Sequence, residues 1–172
     1  AAERAIKNRT EKDIKRYDDS KRRQYKFLDT YYPKDQINLD YEDGINAKTP
    51  HYRALGDVFW HDDPAIIAKT YYTSLAFLTH RIMSEKGITN YLLAEKDARE
   101  RLKRTISSLQ PLPKSWMKTM GRTGKSRYME YFDSLSPEDR DEENSIMNTY
   151  REKQLNFYQA IAKYRNIYYK KG

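Results

Sequence analysis

The sequence predicts an all-α protein: an antiparallel helical hairpin packed with a long C-terminal helix, plus an extended N-terminal arm. Apolar residues recur at spacings of three, four and seven, capping residues stand at the ends of these stretches, and no run alternates with period two. Hydrophobic residues make up only 38% of the 172 residues and charged residues 34%, which predicts a thin core. Aromatic residues make up 13%, a content that disordered chains lack.

The hairpin is predicted over residues 64–109. Asp63 is a natural N-cap, Pro64 suits the first helical position, and the helix runs to about Lys86. Gly87 can adopt the left-handed conformation that ends a helix, and a second helix follows from about Thr89. Because the link is short, the two helices are predicted to lie antiparallel.

The C-terminal helix is predicted over residues 137–170. Ser136 is its expected N-cap, Pro137 its first residue, and an apolar stripe follows at helical spacing. At ~1.5 Å per residue this helix forms a rod of roughly 50 Å. A compact domain of this size does not need such a rod, so the helix is predicted to lie against something larger.

Residues 1–50 are predicted to form a polar helical arm and an extended connector, and residues 51–172 the helical domain. Residues 3–28 carry only a narrow apolar stripe, and so polar a helix needs a partner surface or is a mobile arm. The connector, residues 31–52, shows no period and contains Pro33, Gly44 and Pro50. It is predicted to drape over a surface.

Composition excludes several classes of function. The chain has no cysteine, so disulfides, thiolate catalysis and Cys-ligated zinc are excluded. No apolar run reaches the ~20 residues that span a bilayer, which predicts a soluble or peripheral protein without a transmembrane segment. The chain begins at Ala1 without Met, which fits a removed targeting peptide, a removed initiator Met or a trimmed end. Only a removed targeting peptide would place the protein in an organelle or the secretory route, and basicity and amphipathic helices favour mitochondria.

Two motifs resemble a phosphate-binding loop and a metal site, but neither has all the residues that such a site needs. Residues 121–126, Gly-Arg-Thr-Gly-Lys-Ser, resemble the end of a Walker A loop, but Thr119 stands where that loop needs Gly and no strand precedes it. His61, Asp62 and Asp63 lack the further ligands that a metal site needs. We therefore expect no catalytic, cofactor-binding or metal-ligating residues.

The most credible functional surface is basic. Residues 96–127 carry ten Lys or Arg against two Asp or Glu, and residues 110–127 form a basic loop. Charged faces are most often simply solvated, but such a surface can also bind an acidic protein, anionic lipid headgroups or RNA, with Trp116 as a stacking platform for bases. The predicted binding residues are Arg99, Arg101, Lys103, Arg104, Lys114, Trp116, Lys118, Arg122, Lys125 and Arg127.

Aromatic side chains supply the predicted docking contacts to other subunits. Tyr31 and Tyr32 stand where no helical pattern holds, and Tyr164 and Tyr168 lie near the end of the C-terminal helix. We expect a non-enzymatic accessory or scaffold subunit of a large multiprotein assembly, with a mitochondrial respiratory or ATP-synthase complex as the preferred setting. The alternative is an RNA-binding, ribosomal accessory protein that uses the basic region.

Overall fold

A computed structural model describes residues 2–35 and 50–169 of the chain. The predicted all-α class is confirmed: the described residues form helices and two short 3-10 turns, Pro33–Asp35 and Lys114–Met117, and no strand. Most of the predicted connector, residues 36–49, lies outside the described residues. None of the described helices is long and apolar enough to cross a membrane. The helices are α1 (Ala2–Tyr31), α2 (Pro50–Phe59), α3 (Pro64–Lys86), α4 (Tyr91–Ser108), α5 (Arg127–Ser134) and α6 (Pro137–Tyr169).

Helices α3 and α4, predicted as the hairpin, pack against each other. The predicted caps of α3 are confirmed: the Asp63 carboxylate accepts a hydrogen bond from the backbone N–H of Ala65, and Gly87 ends the helix at φ 63°. Helix α4 begins slightly later than predicted, because the side chain of Asn90 caps it by accepting from Leu92 and Leu93. Capping residues thus mark both helix ends at this turn.

The main core lies between α2, α3, α4 and α6. Phe59 of α2 is fully buried and stacks on Tyr150 of α6 with ring centroids 5.3 Å apart. Tyr150 donates a hydrogen bond to the backbone oxygen of Ile106 at 3.2 Å, and Tyr72 donates to that of Ile161 at 2.8 Å. These tyrosines bury their rings while their hydroxyls satisfy helix carbonyls.

The long helix α6 packs against other helices of the same chain. Its two ends contact different helices: Glu142 bonds to Arg16 of α1 at 2.7 Å, and Tyr168 stacks on Tyr72 of α3 at 4.6 Å. Between them, the buried Lys153 bonds to Asp62. A rod of this length therefore has partners within the molecule along most of its course.

Helix α1 is packed onto the molecule over its C-terminal half. The partner surface that so polar a helix was predicted to need is supplied by α5 and α6. Ser20 and Gln24 are fully buried, and Phe27 and Leu28 nearly so. These residues recur every three or four positions, so a single stripe of α1 faces inward.

A buried carboxylate joins α1, α5 and α6. Glu143 of α6 is fully buried and accepts hydrogen bonds from Ser20 at 2.7 Å, Arg23 at 2.9 Å and Tyr131 at 2.7 Å. Burial first, and the nearby Glu143 charge second, raise the pKa of the Tyr131 hydroxyl, which keeps it a donor. Three donors from two helices therefore hold one charge in the interior.

A second, aromatic core lies at the C-terminal end of α1. The ring of Phe27 lies within 5.4 to 5.8 Å of four other rings, those of Tyr31, Tyr32, Trp116 and Tyr131. Trp116 is only 1% exposed, so the predicted stacking platform for RNA bases was wrong. Its ring fills the space between α1 and α5, where it buries more apolar area than a surface position allows.

Candidate functional site

The site begins with a short closed loop, residues 121–126, which we call the glycine loop. Gly121 donates a backbone hydrogen bond to Lys125 at 2.6 Å, and Met120 and Ser126 form an antiparallel bridge at its base. Gly124 has φ 83°, a left-handed conformation that glycine adopts without strain. Ser126 then caps α5 by accepting from the backbone N–H of Met129.

The glycine loop holds a carboxylate of its own chain. Glu130 of α5 accepts hydrogen bonds from the backbone N–H and the hydroxyl of Thr123, both at 2.7 Å, and from the hydroxyl of Tyr32. Tyr32 in turn accepts from the backbone N–H of Arg122 at 2.8 Å. A loop whose sequence resembles a phosphate-binding loop is thus occupied by an internal anion.

Burial and hydrogen bonding act in opposite directions on the pKa of Glu130. Burial raises the pKa of this carboxyl, but the hydrogen bonds from Tyr32 and Thr123 outweigh burial and lower it to about 2. Burial and the hydrogen bond to Glu130 raise the pKa of the Tyr32 hydroxyl. Near neutral pH the carboxylate is therefore ionised and the hydroxyl remains its donor.

Beside the glycine loop lies a cleft of about 330 Å³, which we call the tyrosine cleft. Helix α1 forms one wall, the glycine loop another, and α5 the third. Two predicted classes of residue, the docking aromatics and the basic loop residues, meet here although they are about 90 positions apart. The lining residues are Phe27, Tyr31, Arg122, Thr123, Lys125, Glu130, Asp133 and Ser134.

Arg122 stands over an aromatic ring at the edge of the tyrosine cleft. Its guanidinium lies 5.5 Å from the ring centroid of Tyr31, and both side chains are exposed. Stacking on a ring face leaves the edges of the guanidinium open. No carboxylate within the described ranges forms an ion pair with Arg122, so its forked donors are available to a ligand.

The other two basic residues of this region already have partners. Lys125 pairs with Asp133 at 3.2 Å, but both side chains are more than half exposed, so the pair is weak and exchangeable. Arg127 lies half-buried over the ring of Tyr32, 4.1 Å from its centroid. Tyr32 and Thr123 donate the hydrogen bonds that hold Glu130, and we call this arrangement the clasp. Arg127 therefore supports the clasp, whereas Lys125 can turn toward a ligand.

The remaining predicted basic residues are spread over α4 and the turn that follows. Arg99 pairs with Glu95 at 3.0 Å and Arg101 with Asp97 at 3.5 Å, each one helical turn away. Four others are exposed and have no carboxylate partner in the described part of the chain: Lys103, Arg104, Lys114 and Lys118. The structure does not place the α4 residues in the tyrosine cleft.

The two predicted docking tyrosines of α6 make contacts inside the chain. Tyr164 is half-buried against the main core. Tyr168 remains 42% exposed but stacks on Tyr72. Their contacts fix the end of α6 on α3, and they lie outside the tyrosine cleft.

The residues of the discarded metal motif have local roles. The backbone N–H of Asp63 donates to Nδ1 of His61 at 3.1 Å, and Asp62 binds Lys153. Across residues 2–35 and 50–169, no group of three His, Asp or Glu side chains is arranged to hold a metal ion.

The sequence did not predict the acidic residue of the site, Glu130, or its apolar residue, Phe27. Glu130 stands in the first turn of α5, where the helix dipole already accounts for an acidic residue. Nothing in the sequence indicates that Tyr32 and Thr123 converge on it. Phe27 was missed as well, because the stripe predicted for this helix consists of Ile14, Tyr17, Tyr25 and Leu28.

No protein-family model, curated protein or solved structure matches this chain.

Proposed function

We propose that this protein is a non-enzymatic α-helical accessory subunit of a larger multiprotein assembly, and that it binds an acidic segment of a neighbouring subunit at the tyrosine cleft. The observation that carries this proposal is the Arg122 guanidinium, which lies over Tyr31 at a cleft and has no carboxylate partner among the described residues. A partner carboxylate can accept two parallel hydrogen bonds from such a fork.

The cleft supplies apolar contact beside this charge. Phe27 forms its floor and is rigid, because four neighbouring rings hold it. The exchangeable Lys125 adds a second cation. Aromatic and arginine side chains on a rigid support are the residues that dominate binding energy in protein interfaces.

The polar interior supports a structural rather than a catalytic role. Glu143 joins three helices, Glu130 holds the glycine loop, and Lys153 links α6 to the start of α3. Each of these ionisable groups is engaged in holding elements together. The net charge of +8 favours acidic partners, and we propose a mitochondrial respiratory or ATP-synthase complex as the setting.

Site-specific photocrosslinking tests this proposal. A photoreactive phenylalanine analogue replaces Tyr31 in the native assembly, and the crosslinked peptide is identified by mass spectrometry. The same analogue at Tyr158, which is 38% exposed on α6, is the matched control. We expect an acidic peptide of another subunit to crosslink from position 31 and not from position 158.

The variant Arg122→Ala should abolish that crosslink. Transfer of the crosslink to RNA, with loss on nuclease treatment, would instead support the RNA-binding alternative. Crosslinks that persist in Arg122→Ala, or that carry no acidic residue, would refute the assignment of the cleft as an acidic-segment site.

A further inference from the structure

Three large apolar side chains project into solvent around the base of the glycine loop. Met117, Met120 and Met129 are 64%, 70% and 51% exposed. Met120 lies in the backbone bridge with Ser126, and the N–H of Met129 donates to the Ser126 hydroxyl at 3.2 Å. The three side chains therefore surround one short segment. Together with Lys114 and Lys118 we call them the methionine surface.

The segment that carries this surface is positive, and two of its cations belong to the surface itself. Residues 114–127 contain five Lys or Arg and no acidic residue. Lys114 and Lys118 are exposed, and no carboxylate of the described chain pairs with either. The nearest acidic residue along the chain, Glu130, is occupied by Tyr32 and Thr123. Exposed apolar and cationic side chains thus lie close together along one short stretch of chain, and within the described residues Lys114 and Lys118 have no carboxylate partner.

The surface is also fixed in position. The turn Lys114–Met117 turns Trp116 inward, where it is 1% exposed and packs on Phe27 and Tyr131. Met117 and Lys118, the next residues, face outward. A buried anchor therefore presents flexible apolar and cationic side chains on its outer side.

We propose that the methionine surface binds the anionic face of a lipid bilayer. All three methionines are more than half exposed and none of them lines the tyrosine cleft, which favours projecting side chains over a groove. A bound helix needs an apolar groove, whereas a bilayer accepts projecting apolar groups at the level of the acyl boundary. Lysines at the same level meet lipid phosphates.

Vesicle binding tests this proposal with the full chain. The probe is vesicles of phosphatidylserine and phosphatidylcholine in about a 1:3 ratio, compared with phosphatidylcholine alone, in a sedimentation assay at low salt. We expect binding to the anionic vesicles that falls with salt, and little binding to the neutral ones.

Two double variants separate charge from apolar insertion. K114A/K118A should weaken binding about fivefold for each lysine removed. M117Q/M120Q should weaken it by about tenfold, since less apolar area enters the bilayer. The matched controls, K96A/K103A and Leu92→Gln, change exposed residues of α4 and should retain most of the binding.

Equal loss in K96A/K103A and K114A/K118A would show a response to net charge alone and would overturn the proposal. So would equal binding to both vesicle types, or no binding to either. Arg122 and Lys125 are unchanged in all these variants. Failure of the membrane proposal would therefore not affect the test of the tyrosine cleft.

Discussion

Replacing Gly121 with alanine tests the geometry of the glycine loop. A Cβ at this position would overlap the carboxylate of Glu130. That carboxylate cannot simply turn away, because Tyr32 and Thr123 hold it. Gly121→Ala must therefore break the clasp or displace the loop.

The expected loss follows from the hydrogen bonds that break. A hydrogen bond to a charged group contributes about 1.5–3 kcal/mol. Glu130 is partly exposed, so water replaces part of the three bonds, and the net loss should be close to that of one, about 2 kcal/mol. For a domain of this size the melting temperature should fall by about 4–8 °C.

Gly56→Ala is the matched control. Its added Cβ would lie 3.7 Å from the Leu109 side chain, an ordinary contact, inside helix α2. Alanine in place of a helical glycine should stabilise the protein by about 0.5–1 kcal/mol. Thermal unfolding followed by circular dichroism should therefore show shifts of opposite sign.

A double-mutant cycle identifies the cause. Once Glu130→Ala has removed the carboxylate, Gly121→Ala should cost little more, so the two losses should not add. Additive losses would mean that Gly121 acts through another contact. A change of less than about 0.5 kcal/mol in Gly121→Ala alone would refute the clasp.

Three further results are expected. Since the pKa of Glu130 is about 2 in the folded protein and 4.5 ordinarily, its ionised form stabilises the fold above pH 4.5. This contribution, about 1 kcal/mol after solvent screening, should be lost as the pH falls toward 2, and acid titration of Glu130→Gln should lack that loss. Glu143→Ala should cost about 3–5 kcal/mol in chemical denaturation because Arg23 and Tyr131 lose their buried acceptor, whereas unchanged stability would contradict the role of Glu143 in joining the three helices. Phe27→Ala should cost about 3–5 kcal/mol and alter the near-ultraviolet signal of Trp116, and an unchanged signal would count against the aromatic core.

Local chemistry explains which parts of the fold the sequence predicts. Three helix ends were predicted from capping residues and are confirmed. The side chains of Asp63 and Ser136 cap helix N-termini, and Gly87 ends a helix through its left-handed backbone conformation. Such signals need no knowledge of distant residues. For Tyr31 and Tyr32 the sequence shows no helical pattern, but that prediction was wrong for Tyr31, which is the last residue of α1.

Long-range contacts explain what the sequence does not predict. Trp116, between lysines, reads as a surface aromatic, yet Phe27 and Tyr131 enclose it from α1 and α5. Gln24 is polar, yet it is fully buried, and its amide donates to the backbone oxygen of Pro111. In both cases a partner about 15 to 90 positions away decides burial.

The polar character of α1 and the length of α6 have one explanation. The apolar stripe of α1 is narrow, and α1 and α6 supply each other with polar contacts: Arg16 with Glu142, and Ser20 and Arg23 with Glu143. A polar seam of this kind replaces part of the apolar core that the composition does not provide. Among the described residues, the tyrosine cleft and the methionine surface both lie outside that seam and adjoin the glycine loop. A subunit bound at the first and a membrane bound at the second would therefore be oriented relative to each other by this one segment.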